Sequence, residues 1–347
     1  MKLIFLLSKM DLELAKEEVL ALTDNTKHYM IENLLILDTN IKGLEQRLAY
    51  THRIYRFLFE CSYTKIIERM KAFDWQPIYT NNFCLRIHHL ATRNSIYHPN
   101  SAEKVMLADK NARNKNNMDN SLNVFSEKEL AGYIWRKVKK PKVDLSNPTT
   151  PIELFFFKNK VVCGLLIAEI KKDFNERRSH LKPGFSPVSL HPRLARALIN
   201  LTGVQQTETV LDPLCGTGGI LLEAGLMGIQ TTGSDIDDEM LSKAKQNIRF
   251  YNLKNVTLLK QDATKLTKKQ DYIVTDLPYG KNTKKIDILK LYKEFLTTLK
   301  KIMVKKAVVV FPYFVSYKKL IKNLKIDKEF SYYIHRSLSK KIVVLKP

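Results

Sequence analysis

Residues 209–219 read Thr209-Val210-Leu211-Asp212-Pro213-Leu214-Cys215-Gly216-Thr217-Gly218-Gly219, a short apolar run, an acid and a glycine-rich turn that opens into the apolar stretch Ile220 to Ala224. The pattern is that of a strand passing through a tight turn into a helix. Glycines at such a place let the backbone approach a ligand closely at the carboxyl end of the strand. The spacing is not the GxGxxG of dinucleotide-binding folds, and no lysine follows Gly219 as a P-loop requires. A phosphate ligand is therefore disfavoured.

Around this stretch, from His191 onward, apolar strands alternate with helices. Strands are expected at Thr209 to Leu211, Gln230 to Ser234, Val256 to Lys260, Tyr272 to Thr275, Lys306 to Phe311 and Ile342 to Leu345. This alternation predicts an α/β domain with a parallel, doubly wound, Rossmann-like sheet over residues 189–347. Upstream, residues 1–50 read as a small α+β unit: strand Lys2 to Leu7, helix Asp11 to Leu22, strand Asn33 to Leu37, helix Lys42 to Ala49. A second α+β unit, 51–168, holds strands at Ile54 to Phe59, Phe83 to Ile87, Ile152 to Phe157 and Val161 to Ile170, and helices near Thr64 to Phe73 and Glu127 to Lys137. Its polar, Asn-rich segment 107–122 reads as a loop. The charged stretch from Lys171 to Arg178, within 169–188, has no periodicity and reads as a linker.

The 347 residues fit two or three domains, with 44% hydrophobic and 27% charged residues, as in an ordinary globular protein. The charge balance is unusual. Net charge is +23; residues 1–165 carry 25 Lys+Arg against 18 Asp+Glu, and residues 166–347 carry 33 against 17. Such a surplus favours a polyanionic partner through counterion release, with nucleic acid the leading candidate. Genome bias is the competing explanation, since 44 of the basic residues are Lys. Cys61, Cys84, Cys163 and Cys215 form no CxxC pair, so no metal site or disulfide framework is expected, and a reducing cytoplasm fits. The apolar run Leu3 to Leu7 is too short for a signal-peptide core, and no stretch approaches the ~18 apolar residues of a membrane span.

Three strand ends carry acids. Asp212 is placed to accept the amino group of S-adenosylmethionine (SAM), with Cys215, Gly216, Thr217 and Gly218 making room for the methionine moiety; a turn cap is the structural alternative for Asp212. Asp235, 23 residues later and followed by Ile236, stands at the offset at which an acid meets a ribose diol. Asp237, Asp238 and Glu239 read instead as the first turn of a helix. Asp262, followed by Ala263, is placed for the adenine amino group. Each acid alone is weak, but three on consecutive strand ends are a strong signal.

The fourth strand end, Thr275-Asp276-Leu277-Pro278-Tyr279-Gly280, indicates the reaction. The exocyclic amine of a base is a poor nucleophile, because its lone pair is delocalised into the ring. A carboxylate (Asp276) and a backbone carbonyl (Leu277) accepting its two N–H groups would hold the lone pair toward a methyl donor. Tyr279 is placed to stack on the base, and Pro278 restricts the loop. An ordinary Pro-Tyr-Gly turn is the bland alternative.

These residues resemble the Rossmann-like amino-methyltransferases, whose motif is Asp/Asn-Pro-Pro-Tyr/Phe. More narrowly, DPLCGTGGILLEAGLMG, TDLPYGKNT and SPVSLHPRLARALINL resemble the archaeal tRNA guanine-10 N2-methyltransferases, relatives of the eukaryotic Trm-eleven type enzymes. In that family the last of these segments closes over the methionine end of SAM. RLAYTHRIYRFLF, FCLRIHHL and KVDLSNPTTPIELFF resemble an N-terminal ferredoxin-like domain (1–50) followed by a THUMP domain (51–168). The resemblance implies that the THUMP domain binds the tRNA acceptor end; the expected enzyme is a monomer that requires no metal and forms N2-methyl- or N2,N2-dimethylguanosine. The sequence departs from the motif at Leu277, where Pro is commoner. A main-chain carbonyl can still serve there, with less preset geometry. The tRNA guanine-6 enzymes can carry a similar Leu, so position 6 is the alternative target.

A DNA adenine or cytosine amino-methyltransferase, or a protein-glutamine methyltransferase, would use the same four strand ends without the N-terminal units. A non-catalytic tRNA-binding protein would keep SAM binding and lose methyl transfer. His88-His89 match no metal pattern. The Lys281 to Lys290 and Lys300 to Lys306 runs read as solvated faces, those beside Tyr279 being in reach of phosphates, and Arg177, Arg178 and Lys182 of the linker are expected to contact RNA.

Overall fold

The computed structural model describes residues 1–90, 125–171, 173–187, 189–279, 288–321, 324–335 and 338–347. The polar 107–122 segment, Lys172, Val188, Gly280 and most of the Lys281 to Lys290 run lie outside the described residues. The chain divides into two units: Met1–Met10, His28–Asp38 and Arg53–Glu169 form the first; Asp11–Lys27, Thr39–His52 and Ile170–Pro347 form the second. Helices α1 (Leu12–Thr23) and α2 (Leu44–Arg47) therefore belong to the second unit.

The first unit is built on a seven-stranded sheet of β1 (Lys2–Leu7), β2 (His28–Ile31), β3 (Leu34–Asp38), β4 (Thr51–Ser62), β5 (Phe83–His89), β6 (Thr150–Phe156) and β7 (Lys160–Glu169), in the order β2-β3-β1-β4-β7-β6-β5. Strands from both sides of residue 50 thus share one sheet. Successive side chains of a strand face opposite ways. Accordingly Ile152, Leu154 and Phe156 join a core with Phe59, Trp75 and Phe83, whereas Phe155 and Phe157 join Ile4, Ile36 and Tyr55. Met70 of α3 (Ile66–Ala72) and Leu130 and Ile134 of α4 (Glu127–Trp135) cover the first of these faces. The start of α4 is set by Ser126, whose Oγ accepts the Glu129 amide at 3.1 Å.

The second unit carries β8 (Thr209–Asp212), β9 (Gln230–Asp235), β10 (Val256–Lys260), β11 (Gln270–Asp276), β12 (Met303–Pro312), β13 (Lys325–His335) and β14 (Leu338–Lys346), in the order β10-β9-β8-β11-β12-β14-β13. β14 runs antiparallel to both neighbours, and the other described pairs are parallel. The chain winds one way from β8 to β10 and the other way from β11 onward. The switch point between β8 and β11 is where ligands bind in such sheets.

The helices of this unit are α5 (Pro192–Thr202), α6 (Gly219–Leu226), α7 (Asp238–Phe250), α8 (Ile288–Ile302) and α9 (Tyr317–Leu320), besides α1 and α2. On α8 the buried residues Tyr292, Phe295, Leu296, Leu299 and Ile302 recur at helical spacing and pack on Val309, Phe311, Val343 and Leu345. Burial of each large apolar side chain stabilises by roughly 1.5–3 kcal/mol. Among the described residues no helix is long and apolar enough to cross a membrane, and no group of three or more His, Cys, Asp or Glu is arranged to hold a metal ion.

Three local expectations change. β2 and β13 were not anticipated, and both are edge strands; β13 begins Lys325-Ile326-Asp327-Lys328-Glu329, a charged composition that suits an edge and masks a strand pattern. The helix expected over Lys42 to Ala49 stops at Arg47, because the Ala49 and Tyr50 amides turn to the buried Glu18 carboxylate at 2.8 and 2.9 Å. The charged stretch read as a linker folds into 3-10 turns, Asp173–Arg177 and Ser179–Leu181, with Phe174 buried.

Candidate active site

The glycine turn after β8 needs glycine in its geometry. Gly216 and Gly218 have φ of 50° and 79°, in the left-handed region that side chains strain. A Cβ on Gly218 would reach contact with Ala244 at 3.4 Å, whereas one on Gly216 or Gly219 would enter open space. The turn is tied to its neighbours by main-chain bonds. The Cys215 amide donates to the Ser234 carbonyl and the Gly218 amide to the Cys215 carbonyl, at 2.9 and 2.8 Å. Cys215 is buried, and burial pushes its thiol well up, away from redox chemistry.

Asp212 is 2% exposed at the end of β8 and accepts the Leu214 amide at 3.2 Å. It is thus a turn cap, and its carboxylate also lines the switch point. Burial, with the nearby charges of Asp235 and Asp276, pushes its carboxyl up to about 7. Asp235 ends β9 and accepts the Gly216 amide at 2.9 Å and the Asp237 amide at 3.0 Å, one on each oxygen. The next residue, Ile236, is an apolar side chain 62% exposed beside it. Asp237 caps α7 by accepting the Glu239 and Met240 amides, while Asp238 and Glu239 occupy the first turn as expected. After β10, Asp262 Oδ1 accepts both the amide and the hydroxyl of Thr264, at 2.9 and 2.7 Å. Burial works against its charge, but these donors bring its carboxyl below the usual value. Ala263 beside it is buried, and the Gln261 amide donates to the Asp235 carbonyl.

β11 delivers the fourth strand end. Leu277 is fully buried and its amide continues the ladder to the Val310 carbonyl at 3.0 Å. The Tyr292 hydroxyl from α8 donates to the Pro278 carbonyl, which fixes the loop. Asp276 Oδ2 accepts from Lys340 Nζ at 2.6 Å; Oδ1 and the Tyr279 hydroxyl are buried and have no hydrogen-bond partner among the described residues. Burial raises the Asp276 carboxyl and Lys340 opposes that rise. Burial and the Asp276 charge push the Tyr279 hydroxyl far up, so it stays protonated. An unpartnered acceptor and an unpartnered donor thus stand together at the switch point, and buried polar atoms of this kind normally find a partner.

All of the sequence-expected residues lie on the ends of β8 to β11 and their following loops. Sequence reasoning missed three others. Asn247 is fully buried on α7; its Nδ2 donates to the Gly184 and Thr217 carbonyls at 3.0 and 2.9 Å and its Oδ1 accepts the Gly184 amide at 2.8 Å. It therefore joins the segment before α5 to the glycine turn, as does the Ser189 to Thr217 hydroxyl pair at 3.2 Å. The available signal was an Asn in the apolar stripe Ala244, Asn247, Ile248. Glu223 on α6 is buried and takes Arg177 at 2.8 Å and Arg196 at 2.9 Å. Lys340 on β14 is 4% exposed, and because Ile342 to Leu345 are apolar on both parities, the local pattern does not set it apart from Lys341.

The same facts correct the expectation for the linker cations. Arg177 is buried and committed to Glu223 and Asp173, Lys182 is 6% exposed, and only Arg178 of the three is exposed. A buried guanidinium paired this closely cannot reach a phosphate.

The arrangement fits an adenosyl ligand with an amino-acid tail. Space beside Gly216 and Gly219 that no Cβ fills would take the tail, near Thr217, Gly218 and Asp212; Asp235 retains acceptor capacity for a ribose diol, Ile236 is an exposed apolar side chain suited to an adenine, and Asp262 stands just past β10.

Comparisons with known proteins point the same way. The UPF0020 family, described as an RMKL-like methyltransferase domain, matches residues 179–342. The tRNA (guanine(10)-N2)-dimethyltransferase of Methanothermobacter thermautotrophicus is 31% identical over 313 residues, covering 88% of this chain and 85% of its own length. That of Pyrococcus abyssi is 31% identical over 311 residues, with coverages of 86% and 85%. That of Methanocaldococcus jannaschii is 36% identical over 232 residues, with coverages of 63% and 64%.

Proposed function

The chain belongs to the family of the tRNA (guanine(10)-N2)-methyltransferases, and on that premise we propose that it methylates the exocyclic N2 amine of guanine 10 in tRNA, to N2-methylguanosine and then N2,N2-dimethylguanosine. The cofactor is SAM, which when bound supplies an electrophilic methyl group. The observation that carries the reading is the buried, unpartnered Asp276 Oδ1 beside Tyr279 at the sheet switch point. Relatives named for guanine 10, matched along most of their length, support the position and the second methyl group.

Asp276 Oδ1 accepts one N–H of the guanine amine and the Leu277 carbonyl accepts the other, which orients the nitrogen lone pair. Tyr279 stacks on the base. Asp212 and the Cys215 to Gly218 turn hold the amino-acid end of the cofactor, Asp235 and Ile236 its ribose and adenine face, and Asp262 and Ala263 the adenine edge. A guanine inside folded tRNA is extruded to reach these groups, at a cost of roughly a few kcal/mol. Residues 1–50 and 51–168, read as ferredoxin-like and THUMP domains, bind the acceptor end and offset that cost. The protein is read as a cytoplasmic monomer whose net charge of +23 favours the RNA.

The test is to incubate the protein with labelled SAM and an unmodified tRNA transcript carrying guanines at positions 6 and 10, and to map the product by mass spectrometry. Label in N2-methyl- or N2,N2-dimethylguanosine at position 10 is expected. Label at position 6 reassigns the target, and no label in any tRNA rejects the reading. Asp276→Ala is expected to abolish turnover and leave SAM affinity nearly unchanged.

A further inference from the structure

Lys340 lies in none of the motifs from which the site is read, yet its ammonium meets two of the site's groups. It donates to Asp276 Oδ2 at 2.6 Å, it lies 4.6 Å from the centroid of the Tyr279 ring, and its side chain is 5% exposed. Sheet register brings it there. Asp276 pairs with Val310, Val310 with Ile342, and Lys340 stands two residues from Ile342 on the same face.

A carboxylate without a fixed partner can present either oxygen and several rotamers. One clamped on a buried ammonium presents a single oxygen, and the opposite charge favours its ionised form. A cation against one face of an aromatic ring occupies that face. We propose that Lys340 is a positioning residue for the methyl-accepting amine: it fixes Asp276 with Oδ1 toward the substrate, keeps it ionised, and leaves the opposite face of Tyr279 for the base. The inference rests on the reading of Asp276 as the amine's acceptor. Among the described residues, the ionisable groups facing Asp276 are Lys340 from β14, Tyr292 from α8, Asp212 from β8 and Tyr279 from its own loop. Lys340 is the cation of that set.

The test compares the full-length wild type with K340M, K340R and D276N/K340M. Methylation of the tRNA transcript at saturating SAM and thermal unfolding are followed from pH 5.5 to 9, and SAM affinity is measured by calorimetry. K340M is expected to bind SAM as the wild type does, to lose at least ~tenfold in kcat at pH 7, and to show an acid limb moved up by about one pH unit, with activity returning toward pH 9. K340R is expected to return the acid limb to its wild-type place. The Tm deficit of K340M widens as pH rises, because the buried carboxylate left unpaired is tolerated protonated and not ionised. D276N/K340M has no such pH dependence and is the more stable of the two at pH 8; a K340M chain that folds only with D276N supports the proposal equally. An unshifted acid limb with a pH-independent Tm deficit overturns it, as does a double variant no more stable than K340M. A wild type that methylates no RNA at any pH defeats the reading of the site instead, while the unfolding data still decide whether Lys340 and Asp276 are coupled.

Discussion

The Gly216 amide donates to Asp235 Oδ2 at 2.9 Å, so the turn after β8 is fastened to the end of β9 by the residue proposed to hold the cofactor's ribose. The other oxygen accepts the Asp237 amide at 3.0 Å. Asp235→Ala strips both amides of their acceptor and removes the proposed ribose ligand. It is expected to weaken SAM binding at least ~tenfold, about 1.4 kcal/mol, and to lower stability by about 1–2 kcal/mol. Calorimetric titration and denaturant unfolding check both; SAM binding at wild-type strength would remove Asp235 from the cofactor site.

As the proposed acceptor of the cofactor's ammonium, Asp212 is expected to make SAM affinity depend on pH. Its carboxyl titrates at about 7 in the free protein, and a carboxylate, not the acid, attracts the cofactor's ammonium. Affinity is therefore expected to rise with pH and level off above 7, being roughly tenfold weaker one unit below that point. Asp212→Asn should bind weakly and without this dependence. Titrations between pH 5.5 and 8.5 decide it, and a flat wild-type profile would contradict the assignment.

Glu18 carries a structural load within the second unit. It is fully buried and accepts the Ala49 and Tyr50 amides and Asn200 Nδ2, the last at 2.7 Å, while Arg47 donates to Asn200 Oδ1 at 3.0 Å. Glu18→Ala leaves the Ala49 and Tyr50 amides without an acceptor and takes from Asn200 Nδ2 one of its two, the Arg47 carbonyl remaining, and is expected to cost about 3–5 kcal/mol. A loss under ~1 kcal/mol in urea unfolding would mean that water replaces the carboxylate.

His191 gives stability an acid-side dependence. Its Nδ1 accepts the Arg193 amide at 3.2 Å at the start of α5, which requires the neutral ring. Burial and the neighbouring Arg178, Arg193 and Arg177 charges lower its pKa from 6.5 to about 4. The unfolded chain therefore binds a proton that the folded chain refuses, and this contribution, whole above 6.5, is lost as pH falls toward 4. His191→Asn keeps a capping side chain and should flatten the fall in Tm between those values. An equally steep fall in the variant would place the dependence elsewhere.

Much of the second unit was legible because its local signals are repetitive and mutually consistent. The run from Asp212 to Gly219 dictates strand, turn and helix through backbone freedom and apolar content, and Asp235 and Asp276 end β9 and β11 while Asp262 stands two residues past β10. Chemistry that depends on residues at the end of a strand is visible along the chain, because the strand announces its own end. β2 and β13 escaped for the opposite reason: edge strands need little apolar content and carry charges that hide their alternation.

By itself the sequence determined the α/β class of the C-terminal region and the four strand ends, and it singled out Asp276 to Tyr279 as the segment proposed to orient the amine, since these rest on period, glycine placement and residue chemistry over short spans. Tertiary structure alone decided which distant groups those ends meet. Lys340 lies 64 residues from Asp276, and strand order and register bring the two to 2.6 Å. Arg177, charged and unpatterned along the chain, is withdrawn from solvent by a carboxylate 46 residues away. Pairings of this kind are set by packing across the sheet and the helices on it, where the free energy depends on three-dimensional neighbours that no local window of sequence contains.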